Sequence, residues 1–356
     1  MRHLESSAFA LAGVVIAGLT FGSPASARAA THVVHPGESI QAAVDGASPG
    51  DTVVVKPGTY RESVTIHTSG LTLNAQGSVT LEPPQAGSGE CYGAGPHVGI
   101  CVIPASGSYY RVRDVTITGF RIVGFGGSGI FGYRTRNLKV SDVVAINNAA
   151  YGVASFEGIG TEFTGNSVTG SHDAGIYVGD SLEADAVVSH NRAWGNALGI
   201  LVRHSHNVIV SSNASWDNCI GVFLLADGQA GGSGQTAVLN NAVSANNRVC
   251  PQFSPGFLPI LGGGGIVLAG SRHNAVLHNV VTDNRGDTLF SGGIVLIATP
   301  RPNEDGTFEA STNNVVVLNS LRGNQPADIV TDEASSPNII VGNRCSTSVP
   351  GGLCGS

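Results

Sequence analysis

The chain has 356 residues, a formal net charge of −7 and only 12% charged residues, with 50 glycines and six cysteines. So little charge, and that net acidic, is a poor match to a nucleic-acid binder, which needs a concentrated basic face. The length alone would allow two domains, but a chain built from repeats grows along one axis and remains one domain.

Residues 1–30 read as an export signal. Arg2 and His3 give a weak basic start, with Glu5 unusual there, and Ala8 to Phe21 form an apolar core. Ala25-Ser26-Ala27 and Ala27-Arg28-Ala29 are small-x-small cleavage sites. A membrane anchor is the alternative, but the apolar run is short of the roughly 18–20 residues a span requires. No other stretch suits a span, so the mature protein is expected to be soluble and secreted, with no nucleic-acid or membrane partner, and monomeric.

Residues 31–60 contain a short amphipathic helix over Ser39–Gly46, because Ile40, Ala43, Val44 and Ala47 fall at helical intervals. The turns Pro49-Gly50-Asp51 and Pro57-Gly58-Thr59 flank a strand at Thr52–Val55. The helix is expected to lid the open end of a stacked sheet, which otherwise leaves backbone unpaired and core exposed.

The body is a repeat. A Gly precedes an apolar strand at Gly129, Gly152, Gly175, Gly199 and Gly221, spaced by 23, 23, 24 and 22 residues, and again at Gly265 and Gly293. Paired asparagines five residues apart accompany it: Asn191 and Asn196, Asn213 and Asn218, Asn241 and Asn246, Asn279 and Asn284, Asn319 and Asn324. A period of this length predicts an all-β fold, a single right-handed parallel β-helix, with three short strands and three turns per coil. Leucine-rich repeats share the length but need a Leu-x-x-Leu-x-Leu pattern that is missing. Strand alternation puts Ile176 and Val178, Ile200 and Val202, Val222 and Leu224 inside, and Tyr177, Leu201 and Phe223 outside. Stacked Asn amides are expected to form ladders at the turns.

Breaks in the period fall at 82–108, 227–235, 248–264, 286–292 and 299–312. Such insertions emerge at one turn and wall a groove beside coils 150–300. Six cysteines suit an oxidising compartment, and their positions favour local pairs: Cys91 with Cys101, Cys219 with Cys250, Cys345 with Cys354. The second is expected to pin the loop 251–261, and the third to fix a cap over 343–356. Residues 31–356 thus form one domain with a cap at each end.

The segment from His35 to Tyr60 resembles the N-terminal module of secreted pectate-lyase-like β-helix proteins. The Asn/Gly-Ile coils resemble the repeats of carbohydrate-binding and sugar-hydrolase β-helices. The resemblance runs from about residue 32 to the C-terminus and implies the fold more narrowly than the activity. Mannuronan epimerases and related lyases of this fold use an Asp-Pro-His-Asp sequence; Ser171-His172-Asp173 matches its last two positions and lacks the leading Asp-Pro.

One coil departs from its own template. His172-Asp173 stand where neighbouring coils carry Asn196-Ala197 and Asn218-Cys219, Tyr177 takes the outward strand position, and Asp180 follows. One coil on come Arg203 and His204, with His206, His190 and Arg192 nearby. A uronate-acting enzyme must neutralise a carboxylate, move the proton of the adjacent carbon and handle the departing group. Arg203 suits the first task; His172, His204 or Tyr177 suit acid–base work; Asp173 or Asp180 suit orienting a histidine or binding calcium. Polar bridging at a turn is the plain alternative for His172-Asp173, and solvation for the Arg and His. Trp194 and Trp216, with Arg192, are expected to stack as a sugar platform, or else to be covered by the loop carrying Phe253 and Phe257. Asp227, Asp283, Asp287, Glu304, Asp305 and Glu309 read as solvated turn residues, calcium being the cofactor such a set would take. The expectation is an exported carbohydrate-active protein, a lyase or epimerase on an acidic glycan, or a non-catalytic glycan- or envelope-binding β-helix. A scaffold for metalloenzyme assembly is disfavoured, since no His/Met/Cys cluster exists.

Overall fold

A computed structural model describes residues 28–85, 91, 98–250, 259–303 and 306–354. The export-signal segment up to residue 27, the loop tip at 251–258 that holds Phe253 and Phe257, and Glu304 and Asp305 lie outside the described residues.

Each coil is three short strands whose alternate side chains point inward. Leu198–Ser205, Val208–Ser211 and Ala214–Trp216 make one coil, and Ile220–Leu225 begins the next. Strands of successive coils pair in parallel, residue against equivalent residue: Ile176 with Ile200 with Val222, and Tyr177 with Leu201 with Phe223. Among the described residues this gives an 11-stranded parallel sheet, running from Val64–Ile66 to Ser348–Val349, and a 20-stranded sheet. The larger sheet is two columns, joined where Thr72–Glu82 and Thr116–Val123 bend from one to the other. The coil interior is one apolar cluster of Val, Ile, Leu and Phe side chains, including Ile176, Val178, Ile200, Val202, Val222 and Leu224, each stabilising by about 2 kcal/mol on full burial.

The recurring glycine answers to crowding. A Cβ on Gly129 would lie 2.6 Å from the carbonyl oxygen of Gly152, and one on Gly152 would lie 2.6 Å from that of Gly175. Here each coil sits on the backbone of the next, and no side chain fits.

The asparagines form ladders at all three turns, the shortest running from Asn274 through Asn314 to Asn338. Asn191 Nδ2 donates to Phe163 O at 2.9 Å and to Asn213 Oδ1 at 3.0 Å, and its backbone N–H donates to the same Oδ1 at 2.9 Å. Asn213 repeats this towards Asn241, and Asn241 towards Asn279. A second ladder runs from Asn196 through Asn218, Asn246 and Asn284 to Asn324. A buried turn would otherwise strand its N–H and C=O groups, and the amide supplies both a donor and an acceptor.

The helix spans Ile40–Asp45, with Ser39 as its N-cap accepting from Ala42 N–H at 3.2 Å. Ile40 and Val44 are buried on the first coil, and Glu62 accepts from the N–H groups of Ile40 and Gln41. At the far end Leu353, Cys345 and Cys354 pack against the core. All six cysteines are paired, Cys91–Cys101, Cys219–Cys250 and Cys345–Cys354. Among the described residues no helix is long and apolar enough to cross a membrane.

The outward row is itself covered. Tyr177, Leu201 and Phe223 point out of the coil yet are 1%, 4% and 0% exposed. They belong to a second apolar cluster with Leu261, Cys250 and Phe290. The insertion 248–264 supplies part of the cover as an antiparallel hairpin of Val249–Cys250 with Leu261–Gly262, and the ring of Phe290 meets Phe223 edge-on at 5.4 Å.

Candidate active site

The C-terminal edge of the 11-stranded sheet gathers the charges. There each strand turns, and Arg134, Glu157, Asp180 and His204 occupy that corner in successive coils with left-handed backbone, φ 51°, 49°, 57° and 45°. Few non-glycine residues adopt this conformation, and a row of four makes it a fixed feature of this corner.

Tyr177 reaches the corner because of a glycine. A Cβ on Gly179 would collide with the Tyr177 hydroxyl. With none there, the phenol leans along the strand and donates to Asp180 Oδ2 at 3.1 Å. Behind it the ring stacks on Phe156 at 4.3 Å and packs against Tyr151 at 4.9 Å.

Asp180 is one of two carboxylates alternating with two cations. His204 donates from Nδ1 to Asp180 Oδ1 at 3.2 Å and meets Asp227 through Nε2. Arg203 donates from Nε and Nη2 to Asp227 Oδ2 at 3.2 and 3.0 Å, and its Nη1 lies 3.8 Å from Asp180 Oδ1. The side chains of His204 and Asp227 are 2% and 0% exposed, and that of Asp180 is 25% exposed. Burial works against all four charges, and their mutual contacts outweigh it. His204 is held above the ordinary imidazole range by Asp180 and Asp227, and Arg203 is likewise raised, by the Tyr177 oxygen and Asp227. Asp180 and Asp227 are held below the carboxylate range by the hydrogen bond from His204 and the charge of Arg203. Tyr177 is raised by burial and then by the charge of Asp180, so it rests as a phenol.

These contacts set the chemistry. His204, clamped between two carboxylates that favour its charged form, orients Asp180 and is not a free base. Asp180 is the member that opens to solvent, at the edge of a cleft of about 440 Å³ lined also by Arg111, Glu157, Glu183 and Gln229. Arg111 donates to the backbone carbonyl of Glu157, and Gln229 comes from the insertion 227–235, which forms one wall. Glu309 braces that insertion, since a Cβ on Gly232 would lie 2.8 Å from Glu309 Oε1.

Of the residues singled out in the sequence, Tyr177, Asp180, Arg203 and His204 come together. His172 is exposed in the turn at the other end of the strand. Asp173 stands beside it, half-buried and facing Tyr151; burial pushes its carboxyl up to about 6, with Tyr151 and Arg203 pulling it down. His206 faces Gly231 O at 3.1 Å, and His190 and Arg192 are exposed elsewhere. Asp227, read from sequence as a solvated turn residue, is instead fully buried and ion-paired: it follows Arg203 and His204 by 24 and 23 residues, an interval the repeat already carried. Arg111 and Glu157 were also missed. Trp194 and Trp216 stack as expected, with centroids 5.2 Å apart and planes 2° from parallel, but on a column of the 20-stranded sheet. Two parallel rings that close must overlap, so each covers one face of the other. Among the described residues no three His, Cys, Asp or Glu side chains converge as a metal site.

The description of a right-handed β-helix region matches residues 128–304. Among solved structures, the A-module of the Azotobacter vinelandii mannuronan C-5 epimerase AlgE6 is similar at 21% identity and TM-score 0.65, over 85% of this chain and 88% of that one. The AlgE4 A-module of the same organism is 18% identical with TM-score 0.63, over 85% and 89%. XylC, solved with xylose, is 12% identical with TM-score 0.51, over 82% and 75%. No curated protein matches the chain in sequence. The chain is a right-handed parallel β-helix protein.

Proposed function

We propose that this protein is an exported enzyme acting on an acidic polysaccharide by lyase- or epimerase-type chemistry, with Asp180 as the group that moves the proton. The observation that carries this is Asp180 itself: one carboxylate open to a cleft, backed by a phenol at 3.1 Å and held below the usual carboxylate range by His204 and Arg203. Arg111, lining the same cleft, binds the carboxylate of a uronate ring and draws charge from the adjacent carbon. Asp180 accepts the proton from that carbon and hands it on to the leaving oxygen, while Tyr177, buried behind it, holds the carboxylate in place through its hydroxyl. Asp180 approaches a bound ring from one side. Taking a proton and returning it to a leaving oxygen on the same side is elimination, whereas epimerisation needs delivery from the opposite side, so the lyase outcome is the better supported. The two cluster carboxylates face Arg203 and His204, and no step is routed through calcium. That the mannuronan epimerase modules share this fold supports the uronate class of substrate.

The mutual compensation of the four charges favours a second reading, a glycan-binding module without turnover. Incubation with alginate and polygalacturonate separates them, followed by ultraviolet absorbance for unsaturated ends and by NMR for inverted sugars. The enzyme reading expects product from wild type and none from Asp180→Asn. Glycan binding with no product from any uronate polymer establishes the module.

A further inference from the structure

The two tryptophans belong to a surface the cleft does not use. Parallel register places Trp194, Trp216, Ser244, Thr282 and Arg322 in one outward row of the 20-stranded sheet. Two residues earlier on the same strands, Arg192, Ala214, Ala242, Val280, Ser320 and Arg344 form a second row. In a chain of net charge −7, neither row holds a carboxylate between Arg192 and Arg344.

The surface has a shape as well as a sign. One end carries Arg192 and the tryptophan pair, with Arg248 approaching the turn at Gly195. Small side chains floor the middle. At the other end Arg322 and Arg344 line a cleft of about 380 Å³ with Val280, Thr282 and Ser320. Five coil steps separate Arg192 from Arg344, a span of about 24 Å. Of the nearby turn carboxylates, Asp283 is held by Arg285 at 2.8 Å, which leaves Asp217 at the rim.

We propose that this face is a second binding surface for an extended acidic polysaccharide, gripped by its carboxylates at Arg192 and at Arg322 and Arg344, and separate from the Asp180 cleft. Guanidinium groups pair with carboxylates through two parallel N–H donors, and a floor of Ala, Ser and Thr lets a flat chain lie close. Nucleic acid is the poorer fit. Its charges come about every 1.7 Å along the duplex axis and ask for a denser basic track.

Trp194 and Trp216 are the two tryptophans of the chain, so intrinsic fluorescence reports on this face. The test titrates the whole protein with polygalacturonate, alginate, dextran and single-stranded DNA. The expected result is a saturable, salt-sensitive change with the two uronate polymers, kept in Asp180→Asn and weakened about tenfold in Arg322→Glu/Arg344→Glu. Arg192→Glu, at the other end of the track, is expected to weaken it too, and circular dichroism checks that each variant folds. No change with either uronate polymer, an equal change with dextran or DNA, or loss of the change in Asp180→Asn overturns the proposal. Because none of these readouts needs turnover, the proposal stands or falls apart from the enzymatic reading.

Discussion

Asp180 and His204 are 24 residues apart in the chain and 3.2 Å apart in space. One turn of the solenoid lies between them, and the same corner of the next turn adds Asp227. The cluster therefore exists only while three coils remain in register, and its members divide into those that hold it and the one that faces the cleft.

Asp227→Ala is expected to lower stability by about 3 kcal/mol, because it leaves buried His204 and partly buried Arg203 without their main carboxylate. Chemical denaturation reads this directly. Asp180→Asn should cost far less, since that side chain is 25% exposed and Asp227 still contacts both Arg203 and His204, while turnover disappears. Equal destabilisation by the two would show that they share one structural role.

Stability should also follow pH with a definite sign. His204 titrates above its ordinary value when folded, so its contribution is complete below about pH 6.5 and drains away as pH rises through the raised value. Asp180 and Asp227 titrate below theirs, so their contribution is complete above about pH 4 and is lost on further acidification. Asp173, pushed up to about 6, adds a loss that sets in above about pH 4 and is complete above about pH 6, because the folded chain favours its protonated form. Melting temperature is expected to peak at mildly acidic pH, and Asp173→Asn should raise it at pH 8 relative to wild type.

Gly179→Ala tests how Tyr177 is aimed. The added methyl meets the phenol oxygen, so the ring must swing away and its hydrogen bond to Asp180 breaks. Turnover should fall by about tenfold or more with a modest loss of stability. Tyr177→Phe, which keeps the ring and removes the hydroxyl, should match it in turnover and exceed it in stability.

The period made the fold legible, because a side chain that must stack on its own copy leaves that copy in the sequence. Gly129, Gly152 and Gly175 announce where coils touch, and Asn191 and Asn213 where they turn. The same counting places Tyr177, Asp180, Arg203 and His204 together, and carried one step further it reaches Asp227. What register cannot supply is side-chain direction. It set Tyr177 outward without saying that the outer face is itself covered. Arg111 lies beside a short side pairing of Val112–Arg113 with Thr135–Arg136, in a part of the chain just after an insertion, and no repeat pointed to it.

The asparagine ladder carries the last prediction. Asn213 accepts from Asn191 N–H and Nδ2 at 2.9 and 3.0 Å, and gives its own Nδ2 to Val188 O and Asn241 Oδ1, both at 2.9 Å. Leucine, near it in size, can do none of this, and it would leave a backbone N–H, a carbonyl and two amide groups short of partners in a dry turn. Each such group costs about 1–3 kcal/mol, relaxation recovers part, and a net loss of about 3 kcal/mol is expected. Asp in the same place keeps the acceptor and forfeits the donor, so Asn213→Asp should fall between wild type and Asn213→Leu. If the ladder holds coils together, hydrogen exchange in Asn213→Leu will quicken along Val208–Ser211 and Ala214–Trp216 and on the adjoining coils, while the helix at Ile40–Asp45 keeps its protection. Uniform loss across the chain would mean that the solenoid melts as a single unit and that no one rung governs its neighbours.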